Sequence, residues 1–208
     1  MNKFISIVAI TLIWSCSPPG KESELPILGH KIYEEHDTIY HTVDHFVLLD
    51  QDSTLVSNET LSNKVYVADF FFTSCPTICP KMKAEMLRVY NEFEDQPQLT
   101  ILSHTIDPEY DTIPLLKDYA KRLGADSQRW KFLWGDQDDI YELAEKSYMS
   151  IADEDGAAPG GFVHSGAFLL VDKERRIRGM YDGTDADQVD VLINDIKKLI
   201  KSYDQAGS

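Results

Sequence analysis

The segment Val65 to Pro80 narrows the possible folds most. An unbroken apolar run, Val65 to Phe72, has the length and β-branched or aromatic character of a buried strand. It ends at Thr73-Ser74, and two cysteines follow as Cys75-Pro76-Thr77-Ile78-Cys79. A helical pattern starts at about Pro80, and proline is well tolerated in a first helical turn. Met82, Met86, Leu87, Tyr90 and Phe93 then recur at helical spacing through Glu94. The two thiols therefore sit where a strand turns into a helix. Free N–H groups and the helix dipole favour thiolate at that position. If the turn is itself helical, Cys75 and Cys79 stand at i and i+4 and face one way. Two close thiolates can form a disulfide or hold a soft metal ion.

The rest of the chain predicts an α/β domain. Val43 to Leu49 and Thr54 to Val56 flank Asp50-Gln51-Asp52-Ser53 as a β-hairpin. Leu99 to Ile106 is the next strand. Asp111 to Pro114 opens a helix that Gly124 closes. Trp130 to Trp134 is a short strand, and Asp136 to Asp139 begins another helix. Ser150 to Gly161 reads as a loop. Ala167 to Asp172 and Ile177 to Tyr181 form two strands joined by Lys173 to Arg176. Val189, Leu192, Ile193, Ile196, Leu199 and Ile200 give a final amphipathic helix. This order predicts a mixed β-sheet between helices. The cysteines then lie at the carboxyl end of a strand, where open α/β sheets bind ligands.

The N-terminus has a different character. Lys3 precedes an apolar stretch, Phe4 to Trp14, too short to span a bilayer comfortably, as in an export signal. Ile13-Trp14-Ser15-Cys16 resembles a bacterial lipobox, with Trp14 bulkier than usual. Residues 1–16 are thus expected to be a lipoprotein signal, with Cys16 as the lipidated residue. Residues 17–39, opened by Ser17-Pro18-Pro19-Gly20, read as a flexible tether. The domain is expected over 40–203, with a tail at 204–208. The working part then lies outside the cytoplasm, lipid-anchored to a bacterial membrane, where disulfides persist.

Of three cysteines in 208 residues, Cys16 belongs with the signal. The remaining pair is a site rather than a disulfide framework. The formal charge is −15, with 35 acidic against 20 basic residues. Without a basic stripe, nucleic acid is not an expected partner. Six histidines could add a ligand. His30, His36, His41 and His45 precede the central strand and read as exposed. His104 lies within a strand and reads as a satisfied, partly buried ring. His164 sits in a glycine-flanked turn at a strand entrance. An imidazole added to two thiolates suits copper or zinc.

Cys75-Pro76-Thr77-Ile78-Cys79-Pro80, preceded by Phe71-Phe72-Thr73-Ser74, resembles the Sco/SenC copper-binding proteins. The likeness continues through Thr105-Ile106-Asp107-Pro108-Glu109-Tyr110-Asp111-Thr112, Leu116 to Ala125, Trp130 to Asp136, His164-Ser165 and Phe168 to Asp172. It covers about Val43 to Leu199. The resemblance implies a thioredoxin-like fold and a copper site, Cu(I) or Cu(II), formed by Cys75, Cys79 and His164. It also implies delivery of copper to the dinuclear centre of cytochrome c oxidase, or reduction of that centre's cysteines. Many relatives carry an acidic residue directly before the histidine, where this chain has Val163. Asp107 is an alternative nearby carboxylate. A second reading is a thiol-disulfide oxidoreductase using Cys75 and Cys79 as a redox pair. The three intervening residues favour a metal chelate over the two usual in thioredoxin-type enzymes. A peroxiredoxin-type peroxidase is disfavoured, because Thr-x-x-Cys is not formed at Cys75.

Overall fold

The computed structural model describes residues 25–35 and 37–206. Cys16 and the segment read as an export signal lie outside them. Strand β1 (Lys31–Tyr33) pairs with β2 (Thr38–Tyr40), and β3 (Val47–Leu49) with β4 (Leu55–Ser57), each antiparallel. The central strand β5 (Val65–Phe71) leads to α1 (Cys79–Glu92), then β6 (Leu99–Thr105), α2 (Ile113–Leu123) and β7 (Trp130–Leu133). Helix α3 (Gln137–Glu142) runs into a π-helical turn, Leu143–Ser147. The chain closes with β8 (Ala152–Glu154), β9 (Phe162–His164), β10 (Ala167–Val171), β11 (Ile177–Asp182) and α4 (Ala186–Ala206).

The main sheet has the order β11-β10-β5-β6-β7. β5, β6 and β7 are parallel, whereas β10 runs antiparallel to both β5 and β11, so the sheet is mixed as expected. Every residue of β5 and β6 is buried, as strands covered on both faces require. Alternate side chains then serve opposite layers. Asp69 and Phe71 face a small cavity shared with Met82 and Met86 of α1 and Tyr119 of α2. Phe70 and His104 face Tyr148, at the end of the π-helical turn. The apolar stripe Val189, Leu192, Ile196, Leu199 and Ile200 is buried along α4. Gly124 ends α2 in the left-handed region, at φ 69°, where a Cβ is costly.

Three boundaries differ from those expected. The tether read through Ile39 contains the β1–β2 hairpin, and its described part is seated on the domain. The Leu28 N–H donates to the Ile177 carbonyl at 2.8 Å, and Arg178 Nε to the Pro26 carbonyl at 2.9 Å. Arg178 is buried and paired with buried Asp172 at 3.0 Å, so two buried charges form a clasp. The loop Ser150 to Gly161 contains β8, which pairs with β9. Helix α4 continues past Tyr203 to Ala206, and Asp204 accepts a bond from Gln98 at 3.0 Å. The N-terminal segment and the end of α4 bond partners distant in sequence, while β1, β2 and β8 are only three residues long, too short for alternation to show.

Candidate metal centre

Each of the three candidate residues is held differently. Cys79 is the first residue of α1, with Pro80 in the first turn. Cys75 lies in the loop between β5 and α1, its N–H donating to the Phe72 carbonyl at 3.2 Å. His164 ends β9, opposite Ala152. It reaches the cysteines through sheet register. β10 pairs antiparallel with β5, with Leu169 opposite Ala68 and Leu170 opposite Val67. Carried back along β10, that register brings residues just before Ala167 beside the end of β5. The Phe72 ring then meets the His164 ring edge-on, with centroids 5.8 Å apart.

The result is a compact set of donors. The ligand atoms of Cys75, Cys79 and His164 lie within 4.8 Å of one another, and all three residues are buried. His164 Nε2 is 3.1 Å from Cys79 Sγ across 85 positions of sequence. Its Nδ1 is 3.1 Å from the Ser165 carbonyl, which accepts only from a protonated Nδ1. That contact assigns the proton to Nδ1 and leaves the Nε2 lone pair facing sulfur. The cysteines are free thiols.

The two sulfurs differ electrostatically. Burial opposes ionisation of Cys75, but the Cys79 thiol and the N–H groups of Thr77 and Cys79 outweigh it, so its pKa is lowered. Ile78 supplies no side-chain cap to α1, and the Cys75 sulfur takes up the free donors there. Burial pushes the Cys79 thiol well up, and the neighbouring Cys75 and Asp69 add to it. Burial also lowers the His164 pKa against the opposing Ser165 bond, which keeps the ring neutral. A thiol that ionises more readily, a thiol that resists ionisation and a neutral imidazole thus converge.

The donor set fits a soft or borderline metal ion. With metal–sulfur bonds of about 2.3 Å and metal–nitrogen bonds of about 2.0 Å, a trigonal ion needs donors roughly 3.7–4.0 Å apart. The observed spacing brackets that range. Metal entry requires the Cys79 proton to leave, because thiolate is the ligand form.

The other candidates lie elsewhere. Asp107 closes a turn, accepting from the Tyr110 N–H at 3.3 Å, and it is not among the converging donors. Val163 is 38% exposed, so no carboxylate comes from that position. His104 is fully buried rather than partly so, and its Nε2 has no partner among the described residues, contrary to the satisfied ring expected. His41, expected to be exposed, is partly buried with Nε2 2.7 Å from the Ser147 carbonyl. Two further residues lie near the site, of which Asp69 is not singled out in the sequence and Gly160 is seen there only as part of the glycine-flanked turn. Asp69 is buried beside Cys79 in a cavity with room for about one water. Its pKa is pushed up to about 7 by burial, against the Ser103 hydroxyl that donates to it. A lone carboxylate in the apolar run Val65 to Phe72 was the available signal. Gly160, at φ 88°, passes so close to the Cys75 loop that a Cβ there would sit 2.9 Å from the Phe72 ring and 3.2 Å from Pro76 Cδ.

The SCO1/SenC family model matches residues 34–201. The SCO1 protein homolog of Bacillus subtilis (strain 168) is 33% identical over 166 residues, covering 77% of this chain and 84% of that protein. Among solved structures, a SCO1/SenC family lipoprotein from Bacillus anthracis superposes with TM-score 0.70 at 28% identity, covering 77% of this chain and 95% of that one. BsSco, a Sco-family cytochrome c oxidase assembly protein with an identified disulfide switch, gives TM-score 0.67 at 33% identity, over 76% and 92% of the two chains. The mixed sheet with its flanking helices is thus the thioredoxin-like fold of these proteins, and the chain belongs to the SCO1/SenC family.

Proposed function

We propose that this protein binds one copper ion through Cys75 Sγ, Cys79 Sγ and His164 Nε2. It then delivers the ion to the dinuclear copper centre of cytochrome c oxidase. The observation that carries this reading is the convergence of two sulfurs and one imidazole nitrogen within 4.8 Å. Two thiolates favour Cu(I), and the imidazole suits Cu(II) as well. Copper is cargo here rather than a resident cofactor. Cys75 is the readier ligand because its thiolate is already favoured, and His164 presents its lone pair without first losing a proton. A three-donor set leaves room for a partner's thiolate to enter as one of these donors leaves, so transfer is a ligand exchange. Only the reduced pair binds, so the thiol redox state gates loading. BsSco's assignment to cytochrome c oxidase assembly supports this acceptor. We place the protein outside the cytoplasm, attached through lipid on Cys16. The lipobox-like Ile13 to Cys16 and the lipoprotein relative from Bacillus anthracis support this attachment.

A second reading is favoured by the unequal sulfurs. A Cys75 thiol that ionises more readily beside a Cys79 thiol that resists ionisation is arranged for disulfide exchange. Cys75 would attack a partner's disulfide, and Cys79 would then release the partner as a dithiol. Two electrons and two protons would pass to the partner, leaving a Cys75–Cys79 disulfide.

Titration of the reduced protein with Cu(I) against a chromophoric chelator separates the readings. Copper delivery predicts tight binding at one ion per chain that collapses in Cys75→Ala, Cys79→Ala and His164→Ala. Weak binding unchanged in His164→Ala would overturn the copper site and leave dithiol exchange.

A further inference from the structure

Cys75 is the donor that no helix or strand holds, since Cys79 begins α1 and His164 ends β9. Its position depends on what anchors its loop. One anchor is the buried carboxylate of Asp111, beyond β6 in the turn before α2. Oδ2 accepts from the Thr73 N–H at 3.0 Å and from the Thr105 hydroxyl at 2.6 Å. Oδ1 accepts from the Thr73 hydroxyl. Asp111 is fully buried and carries no ion pair among the described residues, so these three donors offset its desolvation. Two of the three come from Thr73, two residues before Cys75. Thr105 ends β6 and also accepts from the Asp107 N–H at 3.2 Å. The Ile106 N–H donates to the Phe71 carbonyl at 2.9 Å. The ends of β5 and β6 are thereby tied together where the cysteine loop departs.

We propose that Asp111 is a positioning residue for the metal centre, fixing Thr73 and so the placement of Cys75 Sγ against Cys79 and His164. The inference rests on the copper-binding reading. It adds that a carboxylate outside the ligand set, 36 positions beyond Cys75 in sequence, sets the geometry of one ligand. A buried carboxylate suits this role because it accepts several bonds in fixed directions.

The test compares Asp111→Ala, Thr73→Val and Thr73→Ser with wild type. Val189→Ala, a buried change in α4, is the control for lost stability alone. Each reduced protein is titrated with Cu(I) against a chromophoric chelator. In the metal-free proteins, amide hydrogen exchange is followed over residues 73–77. Asp111→Ala and Thr73→Val are each expected to lose Cu(I) affinity by about 10–100-fold, the usual cost of removing a ligand's supporting partner. Thr73→Ser, which keeps the hydroxyl, should bind as wild type does, and so should Val189→Ala. Exchange protection over 73–77 should fall in the two weakened variants and hold in the other two. If Asp111→Ala does not fold, the Thr73→Val and Thr73→Ser pair decides. Wild-type affinity and wild-type protection in Thr73→Val would overturn the proposal. Failure of wild type itself to bind Cu(I) would overturn the copper reading, while the exchange measurement would still decide whether the carboxylate holds the loop.

Discussion

His164 and His104 make an instructive pair. Both rings are buried, both have lowered pKa values through burial, and both place Nδ1 against a backbone carbonyl. His164 Nδ1 is 3.1 Å from Ser165 O, and His104 Nδ1 is 3.2 Å from Asp69 O. They differ in what faces Nε2. For His164 it is the Cys79 sulfur. For His104, Nε2 has no hydrogen-bond partner among the described residues, and the ring lies among other rings. Phe70 stacks at 4.9 Å, with Tyr148 at 5.5 Å and Phe46 at 6.1 Å. The same residue type in the same protonation state faces a sulfur in one place and is a core side chain in the other. Burial and pKa do not distinguish the two, whereas the partner of one nitrogen does.

Substitution should separate them cleanly. His164→Ala is expected to lower Cu(I) affinity by more than about 100-fold, beyond the loss typical for a supporting partner. Its folding stability should fall by only about 1 kcal/mol. His104→Ala should reverse the pattern, costing about 3 kcal/mol in urea unfolding, as large-to-small core changes do, with copper affinity retained. Equal loss of affinity in both variants would break the comparison.

Acid should act on His104 through linkage. Its folded pKa is lowered from 6.5 to about 4. Between those values the unfolded chain binds a proton that the folded chain does not. Its contribution is therefore present above pH 6.5 and lost as pH falls toward 4, on the order of 3 kcal/mol in all. Asp69 works in the opposite sense, with its pKa raised to about 7. Its folded form keeps a proton that the unfolded form has released, so its contribution is lost as pH rises toward 7. Unfolding midpoints of wild type and His104→Phe between pH 4 and 7 isolate the histidine, because Asp69 is common to both. The variant should lose less stability in acid.

The smallest effect is expected at neutral pH. His104→Phe removes an unpaired buried nitrogen but also the donor to the Asp69 carbonyl. These changes oppose each other, so stability should stay within about 1 kcal/mol of wild type. A loss as large as that of His104→Ala would mean that Nε2 has a partner in solution.

Much of the layout was legible in local pattern. The strand Val65 to Phe71, the helix beginning at the second cysteine and the amphipathic α4 follow from period and punctuation over neighbouring residues. The resemblance also singled out Cys75, Cys79 and His164 as a set. The boundaries that moved have two causes. Arg178 bonds the Pro26 and Leu25 carbonyls, 152 and 153 positions away, a partner that local periodicity cannot register. Within Ser150 to Gly161, β8 pairs with nearby β9 but is only three residues long, too short for alternation to show.

The amino-acid sequence by itself determined the family, the order of the main-sheet strands and the helices, and two thiols where a strand becomes a helix. Adjacent residues carry that information through hydrophobic period, prolines and glycines. Only the tertiary structure decided which imidazole nitrogen faces sulfur, which sulfur ionises more readily, and which buried carboxylate grips the cysteine loop. Those outcomes depend on the antiparallel register of β10 on β5 and on desolvation, and both arise only when distant segments pack together.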